Sequence, residues 1–215
     1  MKESSLTLYK ELFVRYPQLK KCYPQLLNTF NSLITCFQSG GKLLICGNGG
    51  SAADAAHIVG ELMKSFLLPR QIDKAFRKKL LKTDPGHGAQ IADRLQGALP
   101  AIALTQENAL LSAFANDVSP ELVFAQQVYG YGCERDTLFC ISTSGNSQNI
   151  FNAAVVGKAK GLCTIALTGE KPSRLSALCD ITVSVPETEP YKVQELHLPI
   201  YHCLCAVLEQ EFFGT

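Results

Sequence analysis

The stretch KLLICGNGGSAADAAHIVGE, residues 42–61, contains the first strand–loop–helix unit of the chain and decides its fold class. Its apolar run is typical of a buried strand, its glycines form a loop, and residues 51–66 have a helical pattern. Helical patterns also separate the apolar runs that follow. This order of strands and helices predicts a parallel sheet. Helices should cover both of its faces, because the residues that point to either face of each strand are apolar. The later strands are predicted at 101–105, 137–142, 163–168 and 181–185.

Helical patterns also occupy both ends of the chain. Residues 5–38 carry apolar side chains at three- and four-residue spacing, and Gly40 and Gly41 end that element. Residues 191–212, which follow Pro190, predict one long C-terminal helix. The chain has 215 residues, enough for one well-buried core, and contains no internal repeat. We therefore predict a single domain over residues 1–215.

Residues 67–99 interrupt the alternation, since they are too many for an ordinary connection between a helix and a strand. Two amphipathic patterns, Ile72 to Leu80 and Ile91 to Leu99, flank a turn at residues 85–88. Between Lys64 and Lys82 the chain has seven Lys and Arg residues against one acid. We predict a helical, basic insertion. Two interpretations remain open: a solvated helical hairpin, or a lid or subunit contact that brings positive charge toward an anionic ligand.

The overall composition argues against several partner classes. The chain has 20 Lys and Arg against 19 Asp and Glu, so bulk charge gives no reason to expect nucleic acid or an anionic membrane. No apolar run approaches the roughly 18 residues of a membrane span, and the first residues lack the features of a secretory signal. The nine cysteines are odd in number, and several lie within apolar runs. We expect a reduced, cytoplasmic protein with no nucleic-acid or membrane partner.

The glycine loop at 47–52 formally matches the G-x-G-x-x-A pattern of dinucleotide-binding proteins. That pattern needs an acidic residue about 20 positions later, at the end of the next strand, to bind a ribose. Asp73 lies in the basic insertion and Glu107 comes much later, so the match fails. A P-loop is excluded because no G-K-[ST] follows the glycines. What remains is a loop that allows close approach of a ligand and a helix N-terminus that attracts an anion.

A second loop, Ser142-Thr143-Ser144-Gly145-Asn146-Ser147, follows the strand at 137–142. It has four hydroxyl groups between the end of a strand and the start of a helix, an arrangement that suits a phosphate monoester. The loop contains no Lys or Arg, so neutral donors would hold the phosphate. A helix cap alone would need only one of these hydroxyl groups.

His57 and Glu61 are four residues apart and share one face of the first central helix. A carboxylate and an imidazole so placed could act as a base that removes one proton and a group that transfers another. A carboxyl group in these apolar surroundings would gain basicity. The alternatives are a hydrogen-bonded core histidine and a surface glutamate.

Four segments together resemble the sugar isomerase (SIS) domain family and, more narrowly, the phosphoheptose isomerases. The resemblance covers most of the chain and fails across residues 67–99. It implies a three-layer, flavodoxin-like α/β/α sandwich with a five-stranded parallel sheet. It also implies a homotetramer with active sites at subunit interfaces. The segments are CGNGGSAADAAHIVGE (46–61), AND (115–117), ISTSGNSQNI (141–150) and VQELHLPIYH (193–202).

The resemblance further implies an enzyme that isomerises a phosphorylated sugar through an enediol, most readily sedoheptulose 7-phosphate to D-glycero-D-manno-heptose 7-phosphate. Glu61 and His202 would be its acid/base pair. Matching positions assign the sugar to Asn48, Gly49, Gly50, Ser51, Asn116, Asp117 and Gln194. They assign the phosphate to Ser142, Thr143, Ser144 and Ser147. They assign one zinc ion to His57, Glu61, Gln194 and His202.

Two alternatives remain open at this point. Around the axis of the C-terminal helix, Glu195 lies closer in angle to His202 than Gln194 does. The resemblance, however, assigns the ligand role to Gln194. The chain also resembles bacterial replication-initiation regulators of the same fold, which bind sugar phosphates without catalysis. Those regulators lack the helix glutamate and the final histidine. The presence of Glu61 and His202 therefore favours an enzyme over a regulator.

Overall fold

The computed structural model describes residues 2–214 and contains a five-stranded, all-parallel sheet between two layers of helices. The strand order is β2-β1-β3-β4-β5. The predicted α/β/α class and five-stranded parallel sheet are therefore confirmed. The strands are β1 (Leu43–Gly47), β2 (Ala101–Ala103), β3 (Thr137–Ile141), β4 (Cys163–Thr168) and β5 (Ile181–Ser184).

Ten α-helices occupy the part of the chain that the structure describes, together with short 3-10 segments at Pro17–Cys22 and Pro120–Leu122. None of these helices has the length and apolar character that crossing a bilayer requires. The helices are α1 (Glu3–Arg15), α2 (Tyr23–Gln38), α3 (Gly50–Met63), α4 (Lys74–Thr83), α5 (Gly88–Arg94), α6 (Asn108–Asp117), α7 (Val123–Tyr131), α8 (Gln148–Ala159), α9 (Arg174–Leu178) and α10 (Pro190–Phe213).

Strands β1 and β3 are buried along their whole length, because helices cover both faces of the sheet. Helices α1, α2, α3 and α10 pack on one face, and α7, α8 and α9 pack on the other. The chain leaves β1 toward β2 and returns to pair β3 on the opposite side of β1. The connections diverge at this point of the sheet. This leaves a crevice at the carboxyl ends of β1 and β3, where α/β sheets commonly bind ligands.

Two helix boundaries differ from the sequence pattern. The N-terminal pattern at 5–38 is divided, because α1 ends at Arg15 and a 3-10 segment beginning at Pro17 precedes α2. Proline lacks the amide proton that a continuous helix needs. The prediction of one helix from Ile91 to Leu99 is wrong, since α5 ends at Arg94. Leu99 instead donates its backbone N–H to the carbonyl of Leu62, at 3.0 Å, just before β2 begins.

The insertion forms a hairpin of α4 and α5, which pack against each other. Helix α4 has no buried residue, and its lysines are exposed. A single antiparallel bridge between Gln71 and Gln96 joins the two ends of the hairpin. This exposure agrees with a solvated hairpin, and a role as a lid or subunit contact stays a prediction.

Arg70, counted with the basic face of the insertion, is instead buried in an ion pair. Its Nε lies 2.7 Å from Oε1 of Glu209, and both side chains are fully buried. The guanidinium also donates to the carbonyls of Leu62 and Glu61, at 2.7 and 2.9 Å, at the end of α3. Glu209 in turn accepts the backbone N–H groups of residues 66–68. The pair therefore fastens the C-terminal end of α3 to α10.

Replacing Arg70 by Met should lower the free energy of unfolding by about 3–5 kcal/mol, because it leaves the Glu209 carboxylate buried without its partner. Urea denaturation measures the change. Arg77→Met is the matched control, since Arg77 pairs with Asp93 on the surface, where such pairs contribute about 1 kcal/mol or less. Equal losses in the two variants would contradict the role assigned to the buried pair.

Candidate functional site

The loop after β1 is fixed beside the first turn of α8, which directly follows the loop after β3, by a reciprocal pair of amides. Asn48 donates to Asn149 at 2.9 Å, and Asn149 donates back to Asn48 at 3.0 Å. Gly49 has a φ of +54°, in the left-handed region that favours glycine, and α3 begins at the next residue. The two predicted ligand loops therefore lie together at the carboxyl edge of the sheet.

The four hydroxyl groups of the 142–147 loop have different positions. Ser142 is buried; its Oγ accepts the backbone N–H of Gly145 at 3.1 Å and lies 3.2 Å from Oγ of Ser147. Ser144 is exposed, and Thr143 is partly exposed. Ser147 is also partly exposed. The shape of the loop therefore depends on Ser142, whereas the other three hydroxyl groups keep surface that is open to a ligand.

The loop opens onto a cleft of about 200 Å³ that Thr143 and Ser144 line together with Lys171. Lys171 is a cation that the composition of the loop does not predict, because it lies outside residues 142–147. It follows β4, and the carboxyl ends of parallel strands meet at one edge of the sheet, so its position could have been inferred. Glu170 and Glu187 also line the cleft, so its charge is mixed.

Gly145 shapes the loop because no side chain fits at its position. Its φ is +65°, and a Cβ built there would lie 2.1 Å from Oγ of Ser173. The backbone N–H of Leu175 also bonds to the carbonyl of Gly145, at 3.1 Å. The N-terminal end of α9 and its capping residue Ser173 therefore support the 142–147 loop.

Gly145→Ala should displace the loop and weaken the binding of a phosphate ester by at least about tenfold, a loss of about 1.4 kcal/mol. Gly40→Ala is the matched control: Gly40 also has a positive φ, of +75°, but a Cβ there meets nothing within 4 Å. Both variants carry backbone strain, and only the first crowds the loop. Calorimetric titration with a sugar phosphate compares them, and equal affinities would show that the loop does not hold the phosphate.

His57, Glu61 and His202 come together where α3 packs against α10. Nε2 of His57 lies 3.3 Å from Oε1 of Glu61, and the rings of His57 and His202 are 5.0 Å apart between centroids. The Glu61 side chain is only 13% exposed, and Lys64 Nζ donates to its other oxygen at 3.0 Å. Burial and the neighbouring His57 lower the pKa of His202, which keeps its imidazole available to accept a proton.

Gln194 lies at the opposite end of the α3–α10 contact. A Cβ built on Gly50 would lie 2.7 Å from Nε2 of Gln194. Gly50 is seven residues before His57, which is about 10 Å along a helix. Glu195 is exposed, so Gln194 is the residue of the two that faces α3. The structure thus does not bring Gln194 to the His57–Glu61 pair, and its role as a ligand stays a prediction.

Asn116 and Asp117 end α6, on the exposed surface. Nδ2 of Asn116 donates to Oδ1 of Asp117 at 2.8 Å, and between residues 2 and 214 no hydrogen bond joins either side chain to the two ligand loops. Helix α6 packs mainly against residues 120–131. Their predicted contact with the sugar would therefore use an exposed face of α6.

His197 belongs to the core rather than to this site. It is fully buried, and among the described residues neither ring nitrogen has a hydrogen-bond partner. Burial lowers its pKa to about 4, so the imidazole is neutral at physiological pH. His197 and His202 therefore have different surroundings, one in the core and one at the α3–α10 contact.

The donor atoms of His57 and Glu61 fit a zinc ion. Two ligands bound at about 2.0 Å in tetrahedral geometry lie about 3.3 Å apart, and Nε2 and Oε1 are separated by 3.3 Å. His202 offers a further imidazole beside this pair. As arranged in residues 2–214, no three His, Cys, Asp or Glu side chains form a group that could hold a metal ion. The fit therefore rests on the pair and on the chemistry of its neighbour.

Comparisons with known sequences identify the relatives of the chain. Residues 87–169 match the model of the SIS domain. The chain is 38% identical to a phosphoheptose isomerase of Aneurinibacillus thermoaerophilus, over 84% of this chain and 78% of the relative. It is also 38% identical to a phosphoheptose isomerase of Burkholderia pseudomallei, over 84% of this chain and 79% of the relative.

Solved structures give the same result. A phosphoheptose isomerase from Francisella tularensis superposes with a TM-score of 0.75 and 30% identity, covering 97% of this chain and 94% of the other. One from Neisseria gonorrhoeae gives a TM-score of 0.72 and 28% identity, covering 96% and 94%. The NanR protein of Vibrio vulnificus, solved in complex with ManNAc-6P, shares the fold alone, at 15% identity and a TM-score of 0.53 over 98% and 62% of the two chains.

Proposed function

We propose that this chain, which belongs to the phosphoheptose isomerase family of SIS-domain proteins, converts sedoheptulose 7-phosphate to D-glycero-D-manno-heptose 7-phosphate. The observation that carries the proposal is that Glu61 and His202 both lie beside His57, at the contact between α3 and α10. An aldose–ketose isomerase needs such an acid/base pair, and a protein that only binds the sugar does not.

Glu61 removes the proton from carbon 1 of the ketose and returns it to carbon 2 of the aldose. Its carboxylate is mostly buried and retains one oxygen toward His57, while Lys64 holds the other oxygen. The limited exposure fixes the carboxylate against the substrate and limits its hydration. This arrangement suits a group that must remove a weakly acidic proton.

His202 moves the second proton, between the oxygens on carbons 1 and 2. A neutral imidazole can accept one proton and donate another, and the lowered pKa of His202 favours the neutral form. Its ring lies beside His57 at 5.0 Å, so both helices contribute to the same reacting carbons.

The phosphate is bound away from the reacting carbons, by the hydroxyl and backbone groups of the 142–147 loop with Lys171 beside them. Binding energy from this remote group orients the sugar without contributing to the chemistry itself. Asn48, Gly49, Gly50 and Ser51 lie between the two regions at the start of α3 and would contact the sugar.

His57 and Glu61 would hold one zinc ion, with His202 as a further ligand and Gln194 as the fourth that the family resemblance assigns. The 3.3 Å between Nε2 of His57 and Oε1 of Glu61, with the ring of His202 beside them, supports the first three of these ligands. Gln194 lies at the other end of the α3–α10 contact, against Gly50. When bound, the ion would polarise the carbonyl oxygen of the sugar and stabilise the negative charge that develops there.

The proposed assembly is a homotetramer with active sites between subunits. Two apolar side chains that line a cavity together with His202 support it, because Leu67 and Leu198 are 60% and 42% exposed in the single chain. A second subunit that covered them would also bring its own groups to the site, and the exposed Asn116 and Asp117 are candidates. The cytoplasmic location expected from the composition stays a prediction.

Glu61→Gln should abolish turnover of sedoheptulose 7-phosphate, a loss of at least about a hundredfold, because the amide cannot accept the carbon-bound proton. Binding of the substrate should persist, since the phosphate loop is unchanged. Loss of the ketose, followed by NMR, measures turnover, and calorimetric titration measures binding. Glu121→Gln, on an exposed turn in the other helical layer, is the control and should retain full turnover.

Undiminished turnover by Glu61→Gln would contradict the assignment of the base. A different outcome would favour the regulator of the same fold. In that outcome sugar phosphate, with zinc present, raises the melting temperature of the unaltered protein but is not converted. In that case the loop and its cleft would serve a sensor.

A further inference from the structure

Asn149 is a polar residue of α8 that neither the family resemblance nor the proposed reaction assigns to the site. Helix α8 begins at Gln148, directly after the 142–147 loop, and Asn149 is its second residue. Its Oδ1 accepts from Nδ2 of Asn48 at 2.9 Å, and its Nδ2 donates to Oδ1 of Asn48 at 3.0 Å. One side chain therefore connects the helix that follows the 142–147 loop to the glycine loop after β1.

A third hydrogen bond fixes the orientation of this pair of amides. Two facing amides can exchange their oxygen and nitrogen atoms together and still donate to each other, so the pair alone allows two arrangements. The backbone N–H of Ile150 also donates to Oδ1 of Asn149, at 3.0 Å, so this atom must be an oxygen. Asn48 therefore donates through Nδ2 and accepts through Oδ1.

The pair leaves one N–H group of Asn48 free and fixes its direction. A primary amide has two N–H groups and one carbonyl oxygen. Asn149 uses one N–H group and the oxygen of Asn48, and within residues 2–214 no other group bonds to that side chain. Because the amide is planar and is held at two atoms, the second N–H group has a set direction. Asn48 directly precedes Gly49, in the loop to which the proposed function assigns the sugar.

We propose that Asn149 is a positioning residue, which orients Asn48 toward the sugar and couples the sugar to the bound phosphate. The inference rests on the proposed function, because that function places the phosphate on the 142–147 loop and the sugar at Asn48. The N-terminus of α8 attracts the phosphate, and Asn149 lies in that first turn. A loop that is ordered by phosphate therefore also orders Asn149 and, through two hydrogen bonds, Asn48. Phosphate binding energy is used in this way to orient the sugar.

The exposure of the pair separates this role from a structural one. Asn48 is exposed and Asn149 is partly exposed, so water can replace the two hydrogen bonds when they are broken. The fold should then keep its stability. Water does not hold the amide of Asn48 in one direction, however, and the orientation of the sugar should be lost.

Asn149→Ala removes both hydrogen bonds and keeps the helix, because alanine is the best helix former. Asn152→Ala is the matched control. Asn152 lies three residues later on α8 and is also partly exposed. Its amide accepts from Gln148 at 2.8 Å and donates to the carbonyl of Glu121 at 2.9 Å. The two variants thus lose the same number of side-chain hydrogen bonds from the same helix, and only the first loses the link to the glycine loop.

We expect Asn149→Ala to lower kcat/KM for sedoheptulose 7-phosphate about tenfold, which corresponds to the loss of one or two hydrogen bonds. The dissociation constant of inorganic phosphate, measured by NMR titration, should remain unchanged, because this ion occupies the loop without a sugar. In a protein that already carries Asn48→Ala, the substitution Asn149→Ala should cause no further loss, since it acts through Asn48. Asn152→Ala should change neither quantity, and all variants should keep the melting temperature of the unaltered protein.

Three results would overturn the inference. The first is an unchanged kcat/KM in Asn149→Ala. The second is an equal weakening of inorganic phosphate and of the sugar phosphate, which would make Asn149 part of the phosphate site. The third is a pair of losses that add in the double variant, which would show that Asn48 and Asn149 act independently.

The same set of variants, measured by calorimetric titration of sedoheptulose 7-phosphate, separates this inference from the proposed function. If the unaltered protein binds the sugar phosphate without converting it, the proposed function fails. Affinity losses that do not add in the double variant would then still support the role of Asn149. If the protein is an active isomerase and the losses add, only the inference about Asn149 fails.

Discussion

The packing of α10 against α3 is the contact on which the proposed active site depends. The two helices run in the same direction, since Gln194 meets Gly50 at their first turns and His202 meets His57 farther along. The buried ion pair of Arg70 and Glu209 lies at the far end of this contact, and Arg70 also donates to the carbonyl of Glu61. A shift of either helix would separate groups from two distant parts of the chain, and the acid/base pair would be lost.

The order of the strands explains why phosphate binding and proton transfer lie in adjacent but different regions. Because β1 and β3 are neighbours, the glycine loop after β1 and the serine loop after β3 lie together, and the two asparagines that join them hold that arrangement. Helix α3 then leads away from this edge, so His57 and Glu61 lie about 10 Å or more from its first turn. A phosphorylated sugar in extended form could span this interval, with its charged end on the loop and its carbonyl end at the helices.

Local sequence predicted the features that depend on neighbouring residues. The apolar runs gave the strands, the hydroxyl cluster gave the second loop, and the spacing of His57 and Glu61 gave one helix face. The missed features depend on contacts between distant residues. Lys171 reaches the cleft because β4 lies beside β3, and Tyr201 reaches His57 because α10 packs on α3. Arg70 looked like part of a solvated basic face, and only the position of Glu209 makes it a buried partner.

A crystal structure of Glu61→Gln with sedoheptulose 7-phosphate bound would test the central claim most directly. The account predicts that the phosphate oxygens contact residues 142–147. It also predicts that carbons 1 and 2 of the sugar lie beside residue 61, and that their oxygens lie within hydrogen-bond distance of His202. The contrary result would be a phosphate bound elsewhere, or a sugar whose carbonyl end lies far from both side chains in every subunit of the assembly.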